Sequence, residues 1–594
     1  MTVVEAPPAA TAVNRLPLIG GSALAILLYT IFSVLVQVVF PPIGSLESHR
    51  VAADFADAWQ HGHLDSLGYD PDSDPETAFD GNAVALNTAW MTAGIAGNDA
   101  DHPTAVALDG EARPVDADTV DQPLQVSWLL DDGATWTYPT VARLHRRNDT
   151  WRVVWHPETV HPLLRHGLVM SSHRLLATRA PLRTVDGVAL LPTVPTDPAA
   201  ELVGRVVTAS HELAEAATGH AIAGDQVGAS GLQHLYDRRL GGSAGNEVDL
   251  ITDPHYKPLQ PVQTQLHVDP PQPGLPVTLT LRSTTQLAAE RAVAGAATPA
   301  ALVVVDPSTG AILADATGGT SSGRDLGLQA QLPPGSAFRP VAMLALKRHG
   351  IGPDNTALCS AISFEGQEFH NPASTAQTSK LSFADAFARD CPTAFAAEAA
   401  ARLKGTDLGD AAADLGVTTS TDLGAPAFDG SIPVATTPLA LAQSAFGEGQ
   451  VLVSPLSLAR MSATISSGSL RASSLVTNPA HDPAAVHSSL NGEERKLLTD
   501  LMSASVQQDT ALAPLRALGG ELSAVAGLAA YGPAADAPRT VWCTGFRNGV
   551  AFAAVVTPDP SGAAAGATGA GAKNGPAPTA AASVVATFLA ALGG

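Results

Sequence analysis

A serine and an arginine stand one helical turn apart in the stretch PPGSAFRPVAML, which begins at Pro333. The Pro-Gly turn and the apolar residues that follow predict a helix with Ser336 close to its start. The i, i+3 spacing then places Arg339 on the same helix face as Ser336. Serine acts as a nucleophile in acyl transfer when a neighbouring base accepts its proton. A guanidinium has a pKa above about 12 and no acceptor lone pair, so Arg339 cannot be that base.

Composition and charge exclude some classes of function. The chain has 594 residues, of which 45% are hydrophobic and 15% are charged. That length is too great for a single hydrophobic core and predicts three or more packed units. The formal net charge of −23 argues against electrostatic binding to nucleic acid or to an anionic membrane surface.

An uncharged apolar segment, LPLIGGSALAILLYTIFSVLVQVVF, occupies residues 16–40. It is long enough to span a hydrocarbon core. No clear small-x-small cleavage site follows before Pro41, which favours an uncleaved anchor over a signal peptide. We therefore predict a cytoplasmic tail over 1–15 and one transmembrane helix over 16–40, with the bulk of the chain extracytoplasmic at the plasma membrane.

The rest of the chain divides by its patterns into three regions. Residues 45–162 combine a helical apolar repeat with alternating stretches such as LQVSWLL and TWRVVWH, which predict an α+β domain. Residues 163–273 contain VGASGLQHLYDRRLGGSAGNEV, typical of short helices that end at glycine turns. Residues 275–594 begin with a hairpin around Asp-Pro-Ser-Thr-Gly and close with the helix AASVVATFLAAL. A Gly/Ala/Pro-rich stretch over 559–579 predicts a flexible insertion.

These phrases, in this order, resemble the class B penicillin-binding proteins, a family of penicillin-binding transpeptidases. The resemblance is strongest at FGEGQVLVSPLSLARM, where Ser454 is an expected helix N-cap. It implies a multidomain α+β protein with an N-terminal transmembrane helix and a small cone-shaped α+β domain over 45–162. A pedestal (dimerisation-like) domain over 163–273 and a serine transpeptidase/β-lactamase-like α/β domain with a central antiparallel sheet over 275–594 would follow. The pedestal signature Arg-Gly-x-Ile-x-Asp-Arg is not retained.

Active members of that family use three motifs, Ser-x-x-Lys, Ser-x-Asn and Lys-[Ser/Thr]-Gly, which converge on one cleft. At the first motif this chain keeps Ser336 at the nucleophile position and has Arg339 in place of the lysine base. At the second, FARDCPTAF places Asp390, Cys391 and Pro392 where Ser-x-Asn is expected. We predict an ion pair between Asp390 and Arg339 that fills the former catalytic cleft.

The third motif is changed as well. VAGLAAYG places Leu528, Ala529 and Ala530 where the family has Lys, Thr and Gly. None of the six lysines follows a serine by three residues, and none begins a Lys-[Ser/Thr]-Gly. The Ser-x-Asn that ends at Asn491 stands before NGEERKLLTDLM, where it predicts a helix cap.

The residues leave different classes of function open. We expect a catalytically inactive homologue that acts by binding: a scaffold or regulator for other cell-wall synthesis or division proteins, or a protein that holds peptidoglycan stem peptides, their precursors or β-lactams. The alternative is an enzyme, a residual D,D-transpeptidase or covalent β-lactam-binding protein that uses Ser336 with a non-lysine base such as Asp390. A third alternative is an extracytoplasmic domain without any retained site.

Cysteine and histidine spacings predict neither a metal nor a cofactor. Cys359, Cys391 and Cys543 show no metal-ligand spacing, and neither do histidines such as His370 and His487. Outside the cell, Cys359 and Cys391 could form a disulfide. Single buried thiols are the alternative that we expect.

Overall fold

The computed structural model of the chain describes residues 46–73, 102–130, 133–165, 167–191, 194, 197–216, 223–252, 263–319, 324–372, 380–481, 488–530, 539–558 and 576–593. It divides into two compact units. The first runs as far as Leu176 and includes Ala244–Gln272, and the second consists of Ala177–Ser243 and Pro273–Gly594. The region predicted as a pedestal, 163–273, therefore contributes to both units.

None of the described helices has the length and apolar character that a bilayer span requires. The predicted tail and anchor, 1–15 and 16–40, lie outside the described residues, as do His487 and most of the predicted insertion over 559–579.

The α-helices of the described residues are, in chain order, α1 (Glu47–Gln60), α2 (Pro157–Val160), α3 (Ala200–Val203), α4 (His211–Ala216), α5 (Gly231–Leu235), α6 (Asp237–Gly241), α7 (Ser283–Ala294), α8 (Leu326–Gln329), α9 (Arg339–Arg348), α10 (Phe383–Ala388), α11 (Pro392–Arg402), α12 (Asp407–Asp414), α13 (Pro438–Phe446), α14 (Pro455–Ser467), α15 (Gly492–Gln508), α16 (Ala513–Arg516) and α17 (Ala580–Gly593). Three 3₁₀ turns cover Leu64–Ser66, Gly335–Phe338 and Thr510–Leu512.

The strands are β1 (Ala105–Leu108), β2 (Arg113–Pro114), β3 (Thr119–Leu129), β4 (Thr135–Arg147), β5 (Thr150–Val154), β6 (Leu168–Leu175), β7 (Leu182–Arg183), β8 (Val206–Thr208), β9 (Gln226–Gly228), β10 (Gly245–Thr252), β11 (Gln263–Asp269), β12 (Val277–Leu279), β13 (Ala300–Val305), β14 (Ile312–Gly318), β15 (Thr356–Ala357), β16 (Ile362–Phe364), β17 (Gln367–Phe369), β18 (Leu381–Ser382), β19 (Val476–Asn478), β20 (Leu522–Ala530), β21 (Arg539–Arg547) and β22 (Val550–Val556).

The first unit is an α+β domain around an antiparallel sheet with the order β1-β3-β4-β5, to which β2 adds at β3. Helix α1 buries Phe55, Ala56 and Trp59 on one face because these residues recur at helical spacing. Every second residue of β4 is buried from Trp136 to Leu144, as expected for a strand with one face on a core. A second antiparallel sheet, β11-β10-β6, completes this unit.

The second unit is built on a five-stranded antiparallel sheet with the order β14-β13-β22-β21-β20. Helices α7 and α17 pack on one face and α14 packs on the other. Strand β13 is apolar throughout because its alternate residues enter different cores, with Val303 on the α14 side and Val304 on the α7 and α17 side. Strand β20 pairs only with β21 in this order, so it forms an edge of the sheet.

Candidate functional site

Most of the residues singled out from the sequence line one cavity of about 560 Å³ in the second unit. Ser336, Asp390, Pro392 and Leu528 all contribute to its wall. Ser336 comes from the 3₁₀ turn before α9, Asp390 and Pro392 from the junction of α10 and α11, and Leu528 from the edge strand β20. Arg339 is 1% exposed and lies beneath this wall.

Ser336 lies in the 3₁₀ turn and not in the α-helix that the sequence predicts there. Helix α9 begins at Arg339, and Pro340 follows within its first turn. Pro340 has no N–H to donate to the Ser336 carbonyl, so an α-helical hydrogen bond cannot form at that position. The Ser336 carbonyl oxygen instead accepts a hydrogen bond from Arg339 Nη1 at 3.1 Å. The serine and the arginine are therefore joined through the backbone of the turn.

The FGEG phrase at the end of α13 contacts one side of the 3₁₀ turn that contains Ser336. Gly447 follows α13 in the left-handed region at φ 77°, where glycine has no steric penalty. The Gly335 amide donates to the Gly447 carbonyl at 2.8 Å, and a β-carbon at position 447 would overlap the Gly335 carbonyl oxygen. A glycine at this position therefore permits the close approach of two backbones next to Ser336.

Strand β20 is held against the other side of the same turn. A β-carbon at Gly527 would lie 2.5 Å from the Ala337 nitrogen, so only a glycine fits between the strand and the turn without a shift. On the neighbouring strand, Trp542 Nε1 donates to the Pro333 carbonyl at 3.0 Å. These contacts fix the distance between the predicted positions of the first and third motifs.

Arg339 is fixed by two buried carboxylates. Its Nη1 lies 3.0 Å from Asp390 Oδ1, which is the ion pair predicted from the sequence, and its Nη2 lies 3.1 Å from Asp509 Oδ2. Nη1 also donates to the Ala526 carbonyl at 2.6 Å, and the guanidinium stands 5.3 Å from the centre of the Phe387 ring. No sequence pattern points to Asp509, which follows α15 outside all three motifs.

The two carboxylates exceed the charge of the single guanidinium. The pKa of Asp390 is raised to about 6, because burial and the Asp509 charge raise it by more than the Arg339 charge lowers it. The nearby Ser336 hydroxyl also lowers the pKa of Asp390. The floor of the cavity therefore carries more negative charge than the Arg339–Asp390 ion pair alone would give.

The Ser336 hydroxyl is buried, with the residue 2% exposed. Among the described residues, its Oγ has no hydrogen-bond partner of normal geometry. Because Ser336 also lines the cavity, a ligand placed there could supply the hydrogen bond that the protein does not.

At the predicted positions of the second and third motifs, Pro392 and Leu528 lack the chemistry of the family's side chains. Pro392 has no side-chain donor and Leu528 has no charge, so neither can do what an asparagine amide or a lysine ammonium does there. Asp390 could accept a proton when it is ionised. It is the one side chain at the predicted motif positions with that capacity beside Ser336.

A disulfide joins Cys359 and Cys391, which corrects the expectation of single buried thiols for these residues. Their Cα atoms lie 5.8 Å apart, inside the usual range for a disulfide. The junction between α10 and α11 is folded so that Cys391 faces the segment of Cys359, which spacing alone could not establish. Cys391 stands directly between Asp390 and Pro392 in the sequence. Cys543 is a buried free thiol.

Two groups of side chains in the described part of the first unit bring potential metal ligands within 4.8 Å of one another. In the first group, Arg147 already lies 3.6 Å from Asp70 and 2.6 Å from Asp72. The positive charge of Arg147 therefore already offsets the negative charge of the two carboxylates, which a metal ion would otherwise neutralise. The groups are Asp70, Asp72 and His145, and His173, Glu247 and Asp249.

Comparison with known solved structures shows the same fold. A structure of a peptidoglycan synthase complex, described as coordinating polymerization and crosslinking, matches 72% of this chain and 92% of its own with 20% identity and a TM-score of 0.56. PBP2 of Pseudomonas aeruginosa in complex with WCK 5153 matches 71% and 96% with 19% identity and a TM-score of 0.52. The complex of PBP2 and MreC from Helicobacter pylori matches 71% and 99% with 15% identity and a TM-score of 0.54.

Family models identify the two domains by sequence. Residues 47–167 match the NTF2-like N-terminal transpeptidase domain, and residues 300–574 match the penicillin-binding protein transpeptidase domain. No curated protein matches the chain closely enough to serve as a named relative. The two domain matches together take in about two thirds of the chain in the expected order. On this evidence, the chain belongs to the class B penicillin-binding proteins.

Proposed function

We propose that this penicillin-binding protein homologue takes part in peptidoglycan synthesis by binding and does not catalyse transpeptidation. One observation carries the proposal: Arg339, at the position that the sequence predicts for the general base, is held between Asp390 and Asp509. A guanidinium between two carboxylates stays protonated and cannot accept the Ser336 proton.

The retained cavity supports a binding role. Close backbone contacts at Gly447 and Gly527 keep the shape of the cleft although the catalytic side chains are changed. A volume of about 560 Å³ falls in the range of small-molecule sites and suits a stem peptide terminus or a β-lactam.

The proposed partners are other cell-wall synthesis or division proteins. Similar folds have been solved within a peptidoglycan synthase complex and in a complex of PBP2 with MreC. A single N-terminal helix over 16–40, with the two described units outside the plasma membrane, would place a scaffold or regulator where such complexes work.

The intact mass of the purified full-length protein after prolonged incubation with benzylpenicillin tests the proposal. We expect no adduct, with the Ser336→Ala variant as the matched control and thermal unfolding as proof of folding. An adduct that Ser336→Ala abolishes would overturn the proposal.

A residual acyltransferase is the second candidate, which the position of Asp390 favours. Its pKa of about 6 is closer to the value of a useful general base than that of an ordinary aspartate. This function predicts a slow adduct that increases between pH 5 and 7.5 and that disappears in both Ser336→Ala and Asp390→Asn.

A further inference from the structure

We propose that Arg539 anchors the carboxylate of a ligand in the cleft, in place of the lost Lys-[Ser/Thr]-Gly motif. This inference rests on the proposed function only in requiring that the cleft binds a ligand. It assigns a role to a residue outside all three motifs.

The register of the sheet places Arg539 beside the third motif. Leu528 on β20 lies opposite Val541 on β21, so their side chains share one face of the sheet. Arg539 stands two residues before Val541 on the same strand, and alternation puts it on that face as well. Leu528 and Arg539 are thus diagonal neighbours, about 7–8 Å apart at this kind of position. An arginine side chain is long enough to bring its guanidinium to the space next to residue 528, where active relatives have the lysine.

Leu528 and Arg539 both line the cavity, together with His370. Arg539 is exposed, and no hydrogen bond or ion pair joins its side chain to any part of the chain that the structure describes. His370, by contrast, lies 3.1 Å from Glu368. The guanidinium of Arg539 is therefore the unpaired positive charge of the described cavity wall.

Charge also determines which end of a ligand meets Arg539. The floor carries Asp390 and Asp509 against the one charge of Arg339, so it repels an anion. A carboxylate is favoured at the Arg539 end, where the guanidinium can form two parallel hydrogen bonds with it. At the other end, the Ser336 hydroxyl lacks a hydrogen-bond partner of normal geometry among the described residues.

Apolar side chains also line the cavity. Leu528, Phe446 and Pro372 contribute to this wall. The geometry suits a ligand with a terminal carboxylate, a compact apolar body and one polar group for Ser336. Benzylpenicillin has this chemistry and provides a probe, and its methyl ester is the same molecule without the negative charge.

Binding is measured by calorimetry with the full-length Ser336→Ala variant, in which acylation cannot contribute. We expect the acid to bind at least tenfold more tightly than the methyl ester. Arg539→Gln, made in the same background, should weaken the acid at least tenfold and leave the ester unchanged. Arg539→Lys should retain part of the preference, and Arg291→Gln, an exposed arginine on α7 outside the cavity, should retain all of it.

Equal affinity for acid and ester, unchanged affinity in Arg539→Gln, or no binding to the folded protein would each overturn the proposal. So would loss of the acid preference in His370→Gln but not in Arg539→Gln, because the anchor would then be His370. Failure of the proposed function is a separate result. An adduct on Ser336 in the wild-type protein would show catalysis, while the charge preference measured in the Ser336→Ala background would still report on Arg539.

Discussion

Arg339 and Asp390, which are 51 residues apart in sequence, form a buried ion pair of 3.0 Å. The sequence resemblance predicts that these two residues stand where active members of the family have the lysine base and the serine of Ser-x-Asn. With Asp509 on the second guanidinium nitrogen, they form a buried charge cluster. Breaking such a buried pair by removing one partner is typically destabilising by about 3–5 kcal/mol, which makes the cluster a structural element of the cleft.

Restoring the lysine alone should not restore acylation. In Arg339→Lys the new ammonium would lie near Asp390 and Asp509, and both carboxylates favour its protonated form. We expect no penicillin adduct by intact mass. We also expect a lower melting temperature, because an ammonium cannot reproduce the forked contacts of the guanidinium.

Arg348→Lys, near the other end of α9, is the matched control for the loss of a guanidinium. An adduct on Arg339→Lys that disappears when Ser336→Ala is added would contradict this prediction. It would mean that the carboxylates do not hold the lysine in its charged form.

Asp390 should make the free energy of unfolding depend on pH. Its folded pKa of about 6 exceeds the ordinary value of 3.8, so between these pH values the folded protein binds the proton more tightly than the unfolded chain. Its contribution to stability is fully present below pH 4 and is lost as the pH rises through 6. Asp390→Asn should therefore gain stability relative to the wild type when the pH is raised from 5 to 7.5.

Urea unfolding of both proteins at pH 5 and 7.5 measures that difference. Asp354→Asn, an exposed carboxylate in the same unit, is the control and should behave like the wild type. A difference between Asp390→Asn and wild type that is the same at both pH values would rule out titration of Asp390 in this range.

Short sequence patterns predicted those features of the fold and site that depend on neighbouring residues. The hairpin of β13 and β14, the N-cap role of Asn491 and the positions of the three motifs each depend on short runs of sequence. Asp509 could not be found in this way because it reaches Arg339 across 170 residues and belongs to no motif. The 3₁₀ conformation of Ser336 was also missed, although Pro340 is its local cause.

The Cys359–Cys391 disulfide should stabilise the fold through the loop that it closes. The cysteines are 32 residues apart, and chain entropy for a loop of this size corresponds to about 3–4 kcal/mol. Urea unfolding of the double variant Cys359→Ala/Cys391→Ala should show a loss of that order.

Alkylation of the denatured protein supplies an independent readout. Without reductant, one cysteine should react, and with reductant all three should react, by intact mass. Reaction of three thiols without reductant in protein isolated from an oxidising compartment would contradict the disulfide.

Two further buried carboxyls, Asp315 on β14 and Asp325 at the N-cap of α8, should limit stability at alkaline pH. Burial raises the pKa of both groups, and the neighbouring Asp325 charge raises that of Asp315 further, well above its ordinary value. Asp325 Oδ1 accepts from the Gly327 amide at 2.8 Å, which favours its ionised form and leaves the proton on Asp315.

Because the folded pKa of Asp315 lies above the unfolded value, its contribution to stability is present at low pH and is lost as the pH rises through the folded pKa. Asp315→Asn removes this titration and keeps a group of similar size that can still hydrogen bond to Asp325. We expect the variant to melt at a higher temperature than the wild type at pH 8.5 and at nearly the same temperature at pH 4, close to the ordinary pKa of 3.8. A shift of equal size at both pH values would show that packing, and not the proton on Asp315, determines the effect.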